Sequence, residues 1–233
     1  YGKIPDFGGF LVKADSEGNA GPSDYNLTHA EGANPIADSL DAHGGLLIWR
    51  AFVEGNETDR TRRGYTQFKP LDGDFSANVI LQAKNGPLDF QPREPVHPLF
   101  GAMPNTNMGM EFQITQEYLG HANFLVYSGP RWKEVLDFDV VGDGAGSTCA
   151  KVVDGSLDSR SLTMIAGVAN IGSDTNWCGH HFAQANWYAY GRLAWDHGLT
   201  SAGIADEWIR MTWSNDSDVR TELASMMLPS WVA

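Results

Sequence analysis

Charged side chains close a series of short apolar runs along this 233-residue chain. Lys13, Asp15 and Glu17 follow the first run, and Arg50 ends the second. Lys84, Asp89, Arg93 and Glu94 come after the third; Glu111 sits inside the fourth and Glu117 just beyond it. Grouped carboxylates of this kind suit glycoside hydrolysis. One holds a proton for the leaving oxygen, while another stays ionised and activates water or attacks the sugar. Lysine and arginine among them suit a substrate that carries a carboxylate of its own. Any one of these residues taken alone reads as an ion pair on a rim. Their recurrence at four successive run ends points to a site, although spacing does not say which carboxylate is the acid.

The elements that must position them are legible in the hydrophobic pattern. Five runs, Gly9–Val12, Leu46–Trp49, Val79–Leu81, Met110–Ile114 and Met164–Val168, are each bounded by Gly, Asn, Asp or Pro. This is the signature of buried parallel strands. Ala33, Ile36, Ala37 and Leu40 recur at helical spacing, and Gly44-Gly45 stops that helix. Tyr65–Phe68 and Trp132–Leu136 read as shorter helices. Strand starts roughly thirty residues apart, with one longer interval, fit a repeated strand–helix unit. The simplest such fold is a TIM (β/α)8 barrel, in which active sites lie at the C-terminal ends of the strands. A doubly wound sheet fits the same period, but no glycine-rich phosphate fingerprint follows any of the strands. Five strands are fewer than the eight a barrel needs, so three are hidden or the chain is incomplete.

Past residue 178 the pattern turns helical. Ala183–Trp195, Ser201–Trp213 and Ser217–Met227 read as helices. Trp187, Tyr188, Tyr190 and Leu193 give the first an aromatic face, read as core in preference to a sugar platform. Thr200 or Ser201 caps the second, with Ile204, Trp208, Ile209 and Met211 inward.

Composition narrows the function. Apolar residues make up 42% and charged residues 19%, an ordinary globular balance. The net charge of −13 argues against nucleic acid and anionic membranes as partners, although a pocket can be locally basic. No apolar run is long enough for a transmembrane helix. Cys149 and Cys178 read as small buried or half-buried residues and lack zinc-ligand spacing. His180-His181 has no carboxylate or cysteine at a ligand offset, so no metal site is expected. No G-x-S-x-G elbow occurs. Asn-x-Ser/Thr triplets at Asn26, Asn56 and Asn215 decide nothing about compartment.

Several longer stretches resemble the family 67 α-glucuronidases: Gly8–Gly18 (GGFLVKADSEG), Leu47–Phe52 (LIWRAF), Lys84–Pro95 (KNGPLDFQPREP) and Met110–Gly120 (MEFQITQEYLG). The likeness continues through Ile165–Asn170 (IAGVAN) and Tyr190–Trp195 (YGRLAW), and covers nearly the whole chain in the family's order. It implies a chain made of the C-terminal part of a catalytic TIM barrel, residues 1–178, and the start of a C-terminal helical domain, residues 179–233. It also implies roles. Glu17 falls on the catalytic acid, and Asp89 and Glu117 on the carboxylates that together serve as base. Lys13, Arg50 and Lys84 fall on the cluster that binds the substrate's uronic carboxylate. Family members invert the anomeric centre and use no metal or cofactor. They release α-1,2-linked glucuronate, or its 4-O-methyl ether, from the terminal xylose of glucuronoxylan-derived oligosaccharides. The full-length parent is a candidate homodimer. Glu54 stands where the resemblance leads one to expect an aromatic residue, a longer loop is expected before Asp59-Arg60, and Cys178 replaces an expected threonine. The family's uronate-holding tryptophan lies upstream of this chain.

Two rivals remain open at this point. A barrel glycosidase acting on a neutral sugar would have no requirement for Lys13, Arg50 and Lys84. A non-catalytic sugar-binding protein on an enzyme scaffold would lack an acid or a base, yet all three carboxylates are present. The expectation for residues 1–233 on their own is a poorly soluble, inactive fragment.

Overall fold

The computed structural model describes residues 1–55, 58–121, 123–141 and 146–232; the Asn56 triplet lies outside them. The five expected strands form where the apolar runs stand: β1 (Gly9–Val12), β2 (Leu46–Arg50), β3 (Val79–Lys84), β4 (Met108–Gln113) and β5 (Met164–Val168). They lie in one sheet in the order β1-β2-β3-β4-β5, and the pairs β1–β2, β2–β3 and β3–β4 are parallel. Every residue of β3 and β4 is buried, as expected of parallel strands covered on both faces. Phe10 and Leu11 of β1 are about half exposed. The sequence order of the strands is their order in the sheet, the arrangement that successive strand–helix units produce. The architecture is thus an α/β fold built on an open, largely parallel sheet.

The chain divides into two compact units, residues 1–111 with 139–166 and residues 112–138 with 167–233. In the first, α1 (His29–Asp41) starts with a capping box: Thr28 accepts from the Glu31 amide, and Glu31 accepts from the Thr28 amide. Its buried stripe is His29, Ala30, Ala33, Ala37 and Leu40; Ile36, part of the helical period in the sequence, stands 36% exposed at the edge of that stripe. Two short helices, α2 (Arg63–Phe68) and α4 (Cys149–Val153), complete this unit. Helix α4 did not stand out from the sequence, because five residues are too few to show a period. Gly9 shows why β1 starts on glycine. Its φ is +139°, and a Cβ there would meet the Leu46 carbonyl oxygen at 1.8 Å.

In the second unit lie α3 (Gly129–Asp137), α5 (Ala183–Trp195), α6 (Ser201–Thr212) and α7 (Ser217–Met227). Thr200 caps α6 through the Gly203 amide, and Asp216 caps α7 through the Asp218 and Val219 amides. On α5 the buried stripe consists mainly of small residues, Ala183, Ala185 and Ala189 with Asn186 and Leu193, while Trp187, Tyr188 and Tyr190 flank it half-buried. Asn186 is 1% exposed and serves as a polar bolt: its oxygen accepts from the Ser128 amide and its nitrogen donates to the Val126 carbonyl. Met211, expected inward on α6, is 65% exposed, because that helix buries only the Ile204, Ala205, Trp208 and Ile209 side.

Candidate active site

The register of the first unit brings charge together. Arg50 at the end of β2 pairs with Gln82 on β3, and Lys84 on β3 pairs with Glu111 on β4. Side chains two apart on a strand share a face, so Arg50, Gln82, Lys84 and Glu111 all project to the same side of the sheet. Two loops add the rest. The loop after β1 carries Lys13 and Glu17, and the loop after β3 carries Asp89.

Each of the three expected uronate-binding cations is engaged by a carboxylate. Lys13 Nζ lies 2.5 Å from Glu17 Oε2. The hydrogen bond from Lys13, then its charge, holds the Glu17 carboxyl below its ordinary pKa. Lys84, only 6% exposed, pairs with Asp89 and sits 3.4 Å from the centre of the Phe52 ring and 4.8 Å from that of Phe90. Burial pushes the Lys84 ammonium below its ordinary pKa, against the opposing pull of its hydrogen bond to Asp89 and the charges of Asp89 and Glu111. Arg50 grips Glu111 with two prongs, Nη2 to Oε1 at 2.7 Å and Nε to Oε2 at 3.1 Å.

Glu17 and Asp89 line one cavity of about 210 Å³, together with Phe52, Glu54, Arg60 and His97. The backbone around it is contorted. Asp15, Glu17, Asp89, Phe90 and Arg93 all have φ between +51° and +65°, the left-handed region that non-glycine residues seldom enter. Specific contacts hold these turns. Glu54 Oε1 accepts from the Glu17 amide at 2.8 Å, and the Glu54 amide donates to the Asp15 carbonyl. Glu94 Oε2 accepts from the Leu88 amide. Asp15 accepts from both the amide and the hydroxyl of Ser23. Among the charged residues singled out by spacing, Asp15 and Glu94 therefore brace loops.

His29 and His97 support the same region. Trp49 Nε1 donates to His29 Nδ1, which leaves His29 Nε2 to carry the proton and donate to Gln67 Oε1. His97 Nδ1 accepts from the Leu99 amide, and burial pushes the His97 pKa down to about 4.

Glu117 belongs to the second unit. Gln113 Nε2 donates to its Oε2 at 2.6 Å, and Asn170 Nδ2 donates to the same oxygen at 2.8 Å. It lines a cavity of about 370 Å³ with His121, Asn170, Asp174 and Cys178. The Cys178 thiol reaches the Asn170 carbonyl oxygen, whereas Cys149 of the first unit is fully buried with its pKa pushed up to about 12. His180 contacts the Phe124 carbonyl oxygen, and His181 packs against Trp208 and Trp213. Among the described residues, no group of three or more His, Cys, Asp or Glu side chains is arranged to hold a metal ion.

Five of the six expected residues thus fall in one charged cluster of the first unit, and the sixth lies in the second unit with amide partners of its own. The supporting residues Phe52, Glu54, Gln82, Phe90 and His97 carried no sequence signal as site residues, apart from the unexpected residue type at Glu54.

Comparison with known proteins adds an independent line. The family model described as glycosyl hydrolase family 67 middle domain matches residues 1–177, and that described as glycosyl hydrolase family 67 C-terminus matches residues 178–233. Over its whole length the chain is 47% identical to alpha-glucuronidase A of Emericella nidulans and 49% identical to a probable alpha-glucuronidase A of Aspergillus flavus, covering 29% of each. It is 46% identical to an alpha-glucuronidase of Hypocrea jecorina, again over the whole chain and 28% of that protein. The chain therefore spans less than a third of the length of these curated relatives.

Proposed function

The chain belongs to glycosyl hydrolase family 67, and from that membership we propose that it carries the acid, the base pair Asp89 and Glu117, and the uronate-binding cations of an α-glucuronidase. Its substrates are α-1,2-linked glucuronate, or the 4-O-methyl ether, on the terminal xylose of xylo-oligosaccharides, and its outcome is inversion. The reading takes residues 1–178 as the C-terminal part of a TIM barrel and residues 179–233 as the start of a helical domain. The strand order, the parallel pairs and the two family matches support that division. The 29% coverage of the relatives supports reading the 233 residues as part of a longer enzyme.

One observation carries the functional reading: three cations interleaved with three carboxylates, with Glu17 and Asp89 on a common cavity. Glu17 protonates the glycosidic oxygen. Asp89 and Glu117 orient the attacking water and take its proton. Lys13, Arg50 and Lys84 pair with the sugar carboxylate and fix the ring relative to both carboxylate sets. The free site is closed on itself by ion pairs, so an incoming uronate competes with Glu17 for Lys13. Once Lys13 turns to the substrate, the cation that lowers the Glu17 pKa is engaged elsewhere, which shifts Glu17 toward the protonated form it needs to act as acid.

The test is incubation of the full-length protein with aldouronic acids, measuring free uronic acid. Release that is lost in Glu17→Gln and Asp89→Asn supports the reading. Release of neutral sugar that is indifferent to Lys13, Arg50 and Lys84 would favour a neutral-sugar glycosidase. Binding without release would favour a sugar-binding protein.

A further inference from the structure

We propose that Glu111 is the positioning residue for Arg50, holding its guanidinium in the orientation that reads the substrate carboxylate; this role rests on the functional reading above. Glu111 is 1% exposed. A carboxylate so deeply buried is stable as an anion only if its oxygens are saturated by donors. Both are. Arg50 takes one oxygen with Nη2 and the other with Nε, and Gln82 Nε2 donates to Oε2 from the strand between them.

The geometry spans three strands. Arg50 is on β2, Gln82 on β3 and Glu111 on β4, and the parallel register puts all three on one face. A two-pronged contact fixes the plane of a guanidinium as well as its position. An arginine held by one prong, or by none, retains rotamer freedom that binding must then remove. Glu111 is also distinct from the reacting carboxylates. Glu17 and Asp89 border the cavity, whereas Glu111 is enclosed with its oxygens committed. Its contribution therefore passes through Arg50.

The experiment compares two substrates in the full-length protein: an aldouronic acid and the same oligosaccharide with its uronic carboxylate reduced to an alcohol. The quantity read is the ratio of their kcat/KM values. Glu111→Asp keeps the negative charge but retracts the carboxylate by one methylene, so that it cannot meet both prongs. It is expected to lower the ratio by at least about tenfold, mainly through a higher KM for the acid substrate, as misplacement of a substrate-orienting group on the order of an ångström does. Gln82→Met, which leaves Arg50 and Glu111 in place but removes the third donor, is expected to lower the ratio by about threefold and serves should Glu111→Asp fail to fold. A merely structural Glu111 would depress both substrates alike and leave the ratio unchanged in both variants, which overturns the proposal. A wild type that does not distinguish the two substrates overturns the uronate reading itself. A wild type that distinguishes them, with variants that match it, sinks only the role of Glu111.

Discussion

Lys13 Nζ stands 2.5 Å from Glu17 Oε2, so the group proposed to deliver a proton is held as an anion in the free site by the cation four positions before it. This pairing has a kinetic signature. Glu17 must be protonated to act, and its ionisation on the alkaline side ends activity. The profile of kcat/KM reports the free enzyme, where Lys13 keeps the pKa low; that of kcat reports the complex, where the uronate has taken Lys13. The alkaline limb of kcat should therefore lie at higher pH than that of kcat/KM. Lys13→Met should shift the kcat/KM limb upward, toward that of kcat, while lowering its height. Coincident limbs in the wild type, unmoved by Lys13→Met, would mean that the pair does not govern Glu17.

Leaving-group dependence tests the acid directly. Glu17→Gln should lower cleavage of xylo-oligosaccharide substrates by roughly 10²-fold or more. An aryl glucuronide with an acidic phenol needs little protonation, so much of its hydrolysis should survive, provided that the enzyme accepts it. Equal losses on both substrates would remove Glu17 from the acid role.

Arg50→Ala should do two separable things. It should leave Glu111 buried with one partner gone, which costs on the order of 3–5 kcal/mol of stability, and adding Glu111→Gln should restore part of the lost melting temperature. It should also lower kcat/KM for the acid substrate by roughly 30-fold to several thousandfold, in keeping with about 2–5 kcal/mol for a lost desolvated charge partner. Reducing the substrate carboxylate should add little further loss in that variant. Losses that simply sum would show that Arg50 does not meet the carboxylate.

His97 predicts an acid limit to stability. Its pKa in the fold is pushed down to about 4 by burial, against an ordinary value of 6.5. Between these values the unfolded chain takes up a proton that the folded one refuses, so the stabilisation is complete above pH 6.5 and is lost as pH falls toward 4. The loss amounts to about 3 kcal/mol at most. His97→Asn keeps a side-chain acceptor for the Leu99 amide and removes the titration. Denaturant unfolding at several pH values should show a shallower acid slope for this variant; an unchanged slope would place the titration elsewhere.

The elements that could be read from sequence were those whose own residues define them. β1 to β5 declared themselves as apolar runs closed by turn residues, α5 by its aromatic spacing and α6 by its period and its Thr200 cap; the run pattern holds even for β1 and β5, which are only partly covered. Met211 shows the limit of that reading: helical spacing cannot say how wide the covered stripe is, and on α6 it ends short of Met211. The site was legible by type and by resemblance but not by pairing. Arg50 and Glu111 lie 61 residues apart, and only the strand register joins them. The rings that cage Lys84 and the amides that hold Glu117 are hidden in the same way, since Phe52, Phe90 and Asn170 look like ordinary loop residues until the chain is folded.

The stereochemistry of the first product tests the central claim most directly. Inversion requires the base to activate a water on the face of the sugar opposite the acid, with the carboxyls roughly 6.5–9.5 Å apart to leave room for it. Proton NMR of the full-length protein acting on an aldouronic acid should show the β-anomer of the free uronic acid first, with the α-anomer growing in only as mutarotation proceeds. An initial α-anomer would mean retention through a carboxylate nucleophile, and no uronic acid at all would contradict the proposed activity.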